Sequence, residues 1–258
     1  MGPEEFDSYY KKIYGIRWKS LKEALLSTAT PGAYSTGLNK PYTMDEASVL
    51  AAQSLKLPPE GTVLDACAAP GGKSLVIASA MNRGTFLLSN ELSGERRRRL
   101  VNVLDEYLPE EPRGRVQVSG FDAAAQGSRI SERERFSAVL LDAPCSSERH
   151  VLGNAKALSE WTGARSKFLA QRQWSLLSSA FLLLKPGSFL VYATCSISPL
   201  ENDGVAGRLL KKYKNLVKME KPGFSPGEET EWGRMILPDR DRNLGPMYIA
   251  AFQKIDPG

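Results

Sequence analysis

Strand-like and helix-like patterns alternate along the chain from residue 62 onward, and this alternation constrains the fold more than any other feature. Apolar runs typical of buried strands cover residues 62–66, 85–90, 115–120, 136–142, 188–194, 214–219 and 247–254. Patterns typical of helices lie between them, over residues 73–82, 93–107, 166–184 and 199–213. This order predicts an α/β fold with a seven-stranded, mostly parallel sheet and helices on both faces.

The first part of the chain carries a different pattern. Residues 5–28 show the apolar and aromatic spacing of one or two helices, and residues 29–43 have the Pro and Gly content of a loop. The capping-box spacing of residues 43–46 then predicts the start of another helix. Residues 220–245 are rich in Pro, Gly and charge, which predicts a long surface loop. We expect a helical extension over 1–58 and one large domain over 59–258.

Composition narrows the class of protein. The 258 residues are 42% hydrophobic and 24% charged, which is ordinary for a soluble globular protein. No apolar run reaches the length of a membrane span, and residues 1–14 lack a signal or transit pattern, so we expect a cytoplasmic protein. The net charge of +5 favours polyanionic partners. The lysines and aromatic residues of 5–28 fit either an RNA-facing patch or a packed extension with a solvated face.

Cysteine and histidine usage bears on metals and redox state. The chain has three cysteines, Cys67, Cys145 and Cys195, and one histidine, His150. They lie far apart and form no CxxC pair, so we expect no metal site. The odd number of cysteines indicates a reducing compartment in which the thiols stay free.

The loop after the first predicted strand is built of small residues. It reads Asp65-Ala66-Cys67-Ala68-Ala69-Pro70-Gly71-Gly72-Lys73-Ser74 and runs into a helix. Ligands of open α/β sheets bind at the carboxyl ends of strands, and small residues let a ligand approach the backbone. The loop has neither the phosphate-loop spacing nor GxGxxG. It therefore predicts a ligand site of another kind.

Polar side chains follow the next four strands. Glu91 is placed to accept hydrogen bonds from the hydroxyls of a ribose. The alternative is that Glu91 is a solvated carboxylate in a loop. Asp122 is placed to accept from an exocyclic amine, although a helix-capping aspartate is the alternative. The fourth strand leads into Asp142 and Cys145, and the fifth into Cys195. A single cysteine is usually structural, but two at the carboxyl ends of strands favour catalysis.

These motifs together resemble the Sun (Fmu) family of RNA cytosine-5 methyltransferases. The string Asp-x-Cys-Ala-Ala-Pro-Gly-Gly-Lys-Ser is similar to the family's cofactor loop, and residues 90–93, 142–146 and 194–202 resemble its other motifs. Residues 6–18 and 243–248 resemble the branch that includes the mitochondrial small-subunit rRNA methyltransferase. The family's usual ending, His-x-x-x-x-Asp-Gly-Phe-Phe, is replaced here by Leu-Gly-Pro-Met-Tyr.

The resemblance implies a Rossmann-like class I methyltransferase that uses S-adenosylmethionine. It implies that Cys195 is the nucleophile, that Cys145 assists release, and that Asp142 also faces the cytosine. The residues that it places around the cofactor are Cys67, Ala68, Ala69, Pro70, Gly71, Gly72, Lys73, Glu91, Asp122 and Asp142. The implied partner is RNA, with rRNA preferred over tRNA, and we expect a monomer without predicting any protein partner.

Two other function classes compete with this interpretation. A non-catalytic RNA-binding or ribosome-assembly factor on the same fold would not need both cysteines and the whole cofactor string. A methyltransferase acting on small molecules or protein would leave the two strand-end cysteines unexplained.

The chemistry of cytosine methylation explains why these groups are needed. C5 of cytosine is a weak nucleophile until a thiolate adds to C6, and a base must later remove the C5 proton. This chemistry alone does not choose between Cys145 and Cys195. We expect Ser198 to be the N-cap of a helix, with Pro199 at N1 and Glu201 at N3. The helix N-terminus would then stabilise a thiolate at Cys195.

Overall fold

The structure is a computed structural model that describes residues 2–29, 31–221 and 223–256. Its helices are α1 (Pro3–Tyr14), α2 (Trp18–Leu26), α3 (Glu46–Gln53), α4 (Gly72–Ala80), α5 (Gly94–Tyr107), α6 (Glu110–Arg113), α7 (Ala123–Gln126), α8 (Glu148–Gly153), α9 (Ala155–Ser159), α10 (Ala164–Leu183) and α11 (Asp203–Lys212). Its strands are β1 (Gly32–Tyr34), β2 (Tyr42–Met44), β3 (Glu60–Asp65), β4 (Gly84–Asn90), β5 (Val116–Ser119), β6 (Phe136–Asp142), β7 (Leu184–Thr194), β8 (Val217–Glu220), β9 (Glu228–Glu229), β10 (Arg234–Ile236) and β11 (Met247–Lys254).

The central sheet confirms the predicted α/β class. Strands β5, β4, β3, β6 and β7 lie side by side in that order and are parallel, and β11 adds antiparallel to β7. The chain enters the central sheet at β3, continues outward through β4 to β5, and then returns to β6 on the other side of β3. This change of direction creates a crevice at the carboxyl ends of β3 and β6, where such sheets bind their ligands.

The strand count differs from the prediction. The sheet has nine strands among the described residues rather than seven, because β9 and β10 form within the predicted loop over 220–245. β10 pairs with β11, and β9 pairs with β10. The predicted loop over 29–43 likewise contains the β1–β2 hairpin. Strands of two or three residues are too short to show the alternating pattern that identifies longer ones.

Two helices begin at residues other than the predicted ones. α3 begins after Asp45, whose side chain accepts a hydrogen bond from the Ala47 N–H at 2.8 Å, so Asp45 rather than Thr43 is the N-cap. α11 begins at Asp203, several residues after the predicted start at Ser198. Asn202 precedes α11 without a side-chain capping hydrogen bond, and its Oδ1 accepts from Thr194 Oγ1 instead.

The sheet separates two hydrophobic cores, and neighbouring strand residues alternate between them. Val63, Leu140 and Val191 pack on one face with residues from α3, α4 and α5. Leu64 and Tyr192 pack on the opposite face with residues from α1, α2, α10 and α11. Both faces are therefore covered by helices, as a parallel sheet requires.

The N-terminal helices contribute an aromatic cluster to the second core. The rings of Phe6 and Trp161 lie 4.9 Å apart, and those of Tyr10 and Trp18 lie 5.2 Å apart. Phe6 and Tyr10 are fully buried, whereas Lys11 and Lys12 are exposed. The extension over 1–58 thus packs onto the sheet domain, and the boundary at residue 58 stays a prediction. Among the described residues, no helix is both long and apolar enough to cross a bilayer.

Truncating the cluster tests how far the N-terminal helices stabilise the domain. We expect Phe6→Ala to lower the free energy of unfolding by about 3–5 kcal/mol, because it removes a fully buried ring and leaves a cavity. Urea denaturation followed by circular dichroism measures this difference. Phe168→Ala is the matched control, since Phe168 is 73% exposed and should change stability by about 0.5 kcal/mol or less. Equal losses of unfolding free energy in the two variants would contradict the burial of Phe6 in the core.

Candidate active site

The loop after β3 joins a buried strand end to α4. Asp65 closes β3 and is fully buried, and its Oδ2 accepts a hydrogen bond from Ser74 Oγ at 2.6 Å. Burial raises the pKa of Asp65 to about 7. The chain turns at Gly71, where φ is +121° and a Cβ would lie 2.9 Å from Val103 Cγ1. The turn therefore needs glycine for both conformation and space.

Two cavities lie on either side of this loop. The first, of about 380 Å³, is lined by Cys67, Glu91 and Asp122 among others, and we call it the Glu91 cavity. The second, of about 300 Å³, is lined by Lys73 and Asp142 among others, and we call it the Lys73 cavity. Cys67 lines both. The loop predicted to bind a ligand thus separates two neighbouring compartments.

The remaining residues of the loop differ in whether they line a cavity. Ala68, Ala69, Pro70 and Gly72 line the Lys73 cavity, whereas Gly71 is outside the described lining of both cavities. Gly71 therefore shapes the turn rather than a cavity wall. Tyr42, Thr43 and Met44 of β2 also line the Lys73 cavity.

Glu91 is placed at the end of β4 as predicted. It is 4% exposed, and its Oε1 accepts a hydrogen bond from the Ser93 N–H at 2.9 Å. Its Oε2 accepts no hydrogen bond within the described residues and lies 3.3 Å from Arg96 Nη1. The alternative of a solvated loop carboxylate is wrong, because the side chain is buried with one oxygen left for a further donor.

Asp122 caps a helix and also lines the Glu91 cavity. Its Oδ1 accepts from the Ala124 N–H at 3.1 Å, so it caps α7, and it also accepts from Arg172 Nη2 at 2.8 Å. The side chain nevertheless lines the Glu91 cavity. The capping interpretation is confirmed, and any contact of Asp122 with a ligand has to share the carboxylate with Arg172.

Asn90 and two arginines support this cavity, and sequence reasoning missed their roles. Asn90 Nδ2 donates to the carbonyls of Ala66 and Phe121 at 3.1 and 3.0 Å, which ties together the ends of β3, β4 and β5. Arg96 Nη2 donates to Ala69 O, and Arg97 Nη1 donates to Glu91 O, both at 2.9 Å. The position of Asn90 directly before Glu91 was the signal that could have identified it.

The two strand-end cysteines come together. Strands β6 and β7 pair so that Asp142 lies beside Ala193, and each chain then leaves the sheet at the same level. Cys145 Sγ and Cys195 Sγ lie 2.9 Å apart, although they are 50 residues apart in sequence. Ser147, at φ +55°, places its hydroxyl 3.5 Å from Cys195 Sγ. Loops from two strands therefore assemble one thiol pair.

The surroundings of the two thiols differ in charge and in hydrogen bonding. The hydrogen bond from Cys145 lowers the pKa of Cys195 despite burial, and the Ser147 hydroxyl adds to this effect by donating to the thiolate. The pKa of Cys145 is raised by that same hydrogen bond, by burial, and by repulsion from Cys195 and from buried carboxylates. These opposite pKa shifts favour a thiolate at Cys195 and a thiol at Cys145.

The source of this asymmetry differs from the one predicted. Ser198 does not cap a helix, because α11 begins only at Asp203, and Pro199 and Glu201 lie in turns. Glu201 instead points inward, where its Oε2 accepts from the Ser146 N–H at 2.9 Å. The neighbouring thiol and hydroxyl, rather than a helix N-terminus, stabilise the thiolate.

Asp142 and Lys73 form an ion pair at the edge of the Lys73 cavity. Lys73 Nζ lies 2.7 Å from Asp142 Oδ2 and 3.3 Å from Ser48 Oγ. Burial lowers the pKa of Lys73, but the attraction and hydrogen bond of Asp142 outweigh it, so the pKa is raised overall. The pair therefore presents a fixed cation and a carboxylate to the cavity.

Differential alkylation tests the charge assignment of the thiols. We expect iodoacetamide to modify Cys195 faster than Cys145 at neutral pH, because a lowered pKa increases the thiolate fraction. Peptide mass spectrometry across a pH series measures both rates. In Cys145→Ala the donated hydrogen bond is lost, and the Cys195 profile should move to higher pH. Preferential modification of Cys145 would contradict the assignment.

Comparison with known proteins identifies close relatives of the chain. The bovine 5-cytosine rRNA methyltransferase NSUN4 (Bos taurus) is 36% identical over 235 residues, which cover 83% of this chain and 60% of the relative. The mitochondrial tRNA (cytosine(34)-C(5))-methyltransferase of Mus musculus is 33% identical over 233 residues, which cover 86% and 66%. The chain thus spans about 60–66% of the length of these two relatives.

Solved structures share the fold. A methyltransferase homologue from Pyrococcus horikoshii superposes with a TM-score of 0.75 over 96% of this chain and 94% of its own, at 22% identity. NSun6 from the same organism superposes with a TM-score of 0.67 over 86% and 54%, at 24% identity. The Rossmann-like methyltransferase fold is therefore confirmed. The family model for 16S rRNA methyltransferase RsmB/F matches residues 52–253. The chain belongs to this RsmB/F family, which confirms its resemblance to the Sun family.

Proposed function

We propose that this chain transfers a methyl group from S-adenosylmethionine to C5 of a cytosine in structured RNA, with rRNA as the preferred substrate. The observation that carries the proposal is the thiol pair, in which Cys145 and Cys195 meet at the ends of neighbouring strands. Both follow strands whose register sets Asp142 beside Ala193, at the edge of the sheet that binds ligands. The names of the relatives, which specify cytosine C5 in rRNA or tRNA, support the same reaction.

The residues of the Glu91 cavity fit a nucleoside cofactor. Glu91 Oε2 accepts no hydrogen bond from the described residues, so it can accept one from a ribose hydroxyl. The small side chains of the loop over residues 66–72 leave the backbone open toward both cavities. When bound there, S-adenosylmethionine supplies a methyl group on a positively charged sulfur. Cys67, which lines both cavities, marks the passage between the cofactor and the target base.

Asp142 and Lys73, at the edge of the Lys73 cavity, are suited to face the target cytosine, whereas Cys145 and Cys195 lie outside the described lining of that cavity. Asp142 is positioned by Lys73 and can accept or donate a proton at the N3/N4 edge of the base. The Cys195 thiolate attacks C6 and forms a carbon–sulfur bond, the C5–C6 π electrons form a C4–C5 double bond, and the C4–N3 π electrons move to N3, which takes a proton from the Lys73–Asp142 pair. C5 thereby gains the nucleophilicity that it lacks in free cytosine.

Breaking the covalent bond between Cys195 and the methylated base needs a second side chain. After C5 carries the methyl group, N3 returns its proton to the Lys73–Asp142 pair and a water molecule accepts the C5 proton. The electron pair left on C5 reforms the C5–C6 double bond as the carbon–sulfur bond breaks and Cys195 departs as thiolate. Cys145 lies against Cys195 and is held as a thiol by its surroundings, so it can assist this release. We therefore assign Cys195 as the nucleophile and Cys145 as the releasing group.

Bisulfite mapping of RNA distinguishes the substrate classes. We expect one or a few cytosines of small-subunit rRNA to resist conversion only when active protein is present. A tRNA target would keep the enzyme class and change only the substrate. Protection of no cytosine in either RNA would favour a non-catalytic RNA-binding factor. The monomeric state and the cytoplasmic location stay predictions, which light scattering and cell fractionation can check.

Substitution of the two cysteines tests the assigned roles. We expect Cys195→Ala to form no methylated RNA, because no other thiolate reaches C6. We expect Cys145→Ala to accumulate an RNA–protein complex that survives denaturing gel electrophoresis, because release is impaired. Labelled cofactor and structured RNA provide both readouts.

Cofactor affinity measured by calorimetry is the control for correct folding of both variants. Each should bind S-adenosylmethionine as the unmodified protein does, since neither cysteine lines the Glu91 cavity. Methylation that survives Cys195→Ala would overturn the assignment of the nucleophile. A trapped complex with Cys195→Ala instead of Cys145→Ala would reverse the two roles.

A further inference from the structure

A pair of carboxylates lies buried behind the two cysteines. Glu148, at the start of α8, and Glu201, in the turn before α11, are both fully buried. Within the described part of the chain, neither forms an ion pair with a lysine, an arginine or the histidine. Two buried carboxylates without a cation cannot both be ionised at modest cost. The pair therefore requires another means of compensation.

The hydroxyl of Ser146 bridges the two carboxylates. Ser146 Oγ contacts Glu148 Oε1 and lies 2.6 Å from Glu201 Oε1. A serine hydroxyl has a single proton and can donate to one of these oxygens only. If both carboxylates were ionised, the other contact would set lone pair against lone pair. One additional proton must therefore lie on the pair.

The remaining hydrogen bonds show which carboxyl group holds that proton. Glu148 Oε1 accepts from Tyr10 OH at 2.6 Å, and Glu148 Oε2 accepts from the Ile197 N–H at 3.0 Å, so this side chain is surrounded by donors. Glu201 Oε2 accepts from Gln173 Nε2 and the Ser146 N–H, both at 2.9 Å. Glu201 Oε1 has the Ser146 hydroxyl as its partner. The proton belongs on Glu201 Oε1.

This assignment gives a directed chain of hydrogen bonds. The Glu201 carboxyl donates to Ser146 Oγ, and the Ser146 hydroxyl donates to the Glu148 carboxylate. Burial and repulsion from Glu148 raise the pKa of Glu201, in agreement with this direction. The other titratable side chains that face the pair are Tyr10, Tyr14, Tyr192, Cys145 and Cys195.

The chain of hydrogen bonds joins the two loops that carry the cysteines. Ser146 follows Cys145 directly, whereas Ile197 and Glu201 belong to the segment after Cys195. Gln173 on α10 adds a further link, because its Nε2 also donates to Pro144 O at 2.9 Å. The distance between the two sulfur atoms is therefore set by contacts that lie behind them.

We propose that Glu148 and Glu201 are positioning residues that hold Cys145 and Cys195 together by sharing one buried proton through Ser146. This inference rests on the proposed function, since the held geometry is that of the thiol pair. The negative charge of the pair stays on Glu148, and Glu201 stays a neutral acid. Neither carboxyl group touches the base.

Two isosteric substitutions test the proposal because they should differ in outcome. In Glu201→Gln, the amide N–H replaces the acid proton toward Ser146, and the amide oxygen still accepts from Gln173. We expect its kcat for RNA methylation to change by about threefold or less. In Glu148→Gln, an amide NH2 takes the place of an oxygen that accepts from the Tyr10 and Ser146 hydroxyls, so both hydrogen bonds have to reverse, and we expect kcat to fall by about 10- to 100-fold. The KM for RNA should stay unchanged in both.

Glu23→Gln is the matched control, because Glu23 is exposed on α2 and should leave kcat unchanged. Equal losses for Glu148→Gln and Glu201→Gln, or a larger loss for Glu201→Gln, would overturn the proposal. A rise in KM without loss of kcat would also overturn it, because the pair would then act on RNA binding.

Infrared spectroscopy provides a second measurement that needs no RNA. At slightly alkaline pH, the difference spectrum between the unmodified protein and Glu201→Gln should contain the carbonyl band of one protonated carboxylic acid, shifted in D2O. Absence of that band would overturn the shared proton even if Glu148→Gln failed to fold. A clear band in a protein that methylates no RNA would instead refute the proposed function and leave the proton assignment intact.

Discussion

The parallel pairing of β6 with β7 is the constraint on which the rest of the site depends. Its register places Asp142 beside Ala193, so the two chains leave the sheet together. The following residues then meet whatever path the intervening helices take. A slip in this register would separate Cys145 from Cys195 and would turn neighbouring strand residues to the wrong core. The apolar side chains on both faces of the sheet prevent such a slip.

The environment behind the thiols is as organised as the site itself. Buried carboxylates normally reduce stability unless donors surround them, and here Tyr10, Ser146 and Ile197 supply those donors for Glu148. Tyr10 belongs to the N-terminal helix α1. The extension is therefore connected to the active-site loops by a hydrogen bond as well as by the aromatic cluster.

The comparison between sequence and structure is clearest at individual residues. The strand ends at Asp65, Glu91, Asp142 and Cys195 could be predicted, because long apolar runs and a change of period mark where a strand stops. The short strands β9 and β10 could not, because pairing with β11 rather than local pattern creates them. The local spacing around Glu201 predicts that it lies in the first turn of a helix. Its inward contact with Ser146 depends on a residue 55 positions away.

The sequence by itself determined the alternating α/β architecture, the loop of small residues and the presence of two strand-end cysteines, since these follow from local period and residue type. It also carried the family resemblance that the comparisons confirm. Only the tertiary structure decided which thiol is favoured as thiolate and what compensates the buried carboxylates. Those properties depend on distances between segments that are far apart in the chain, and electrostatic interactions in a buried site change steeply with such distances.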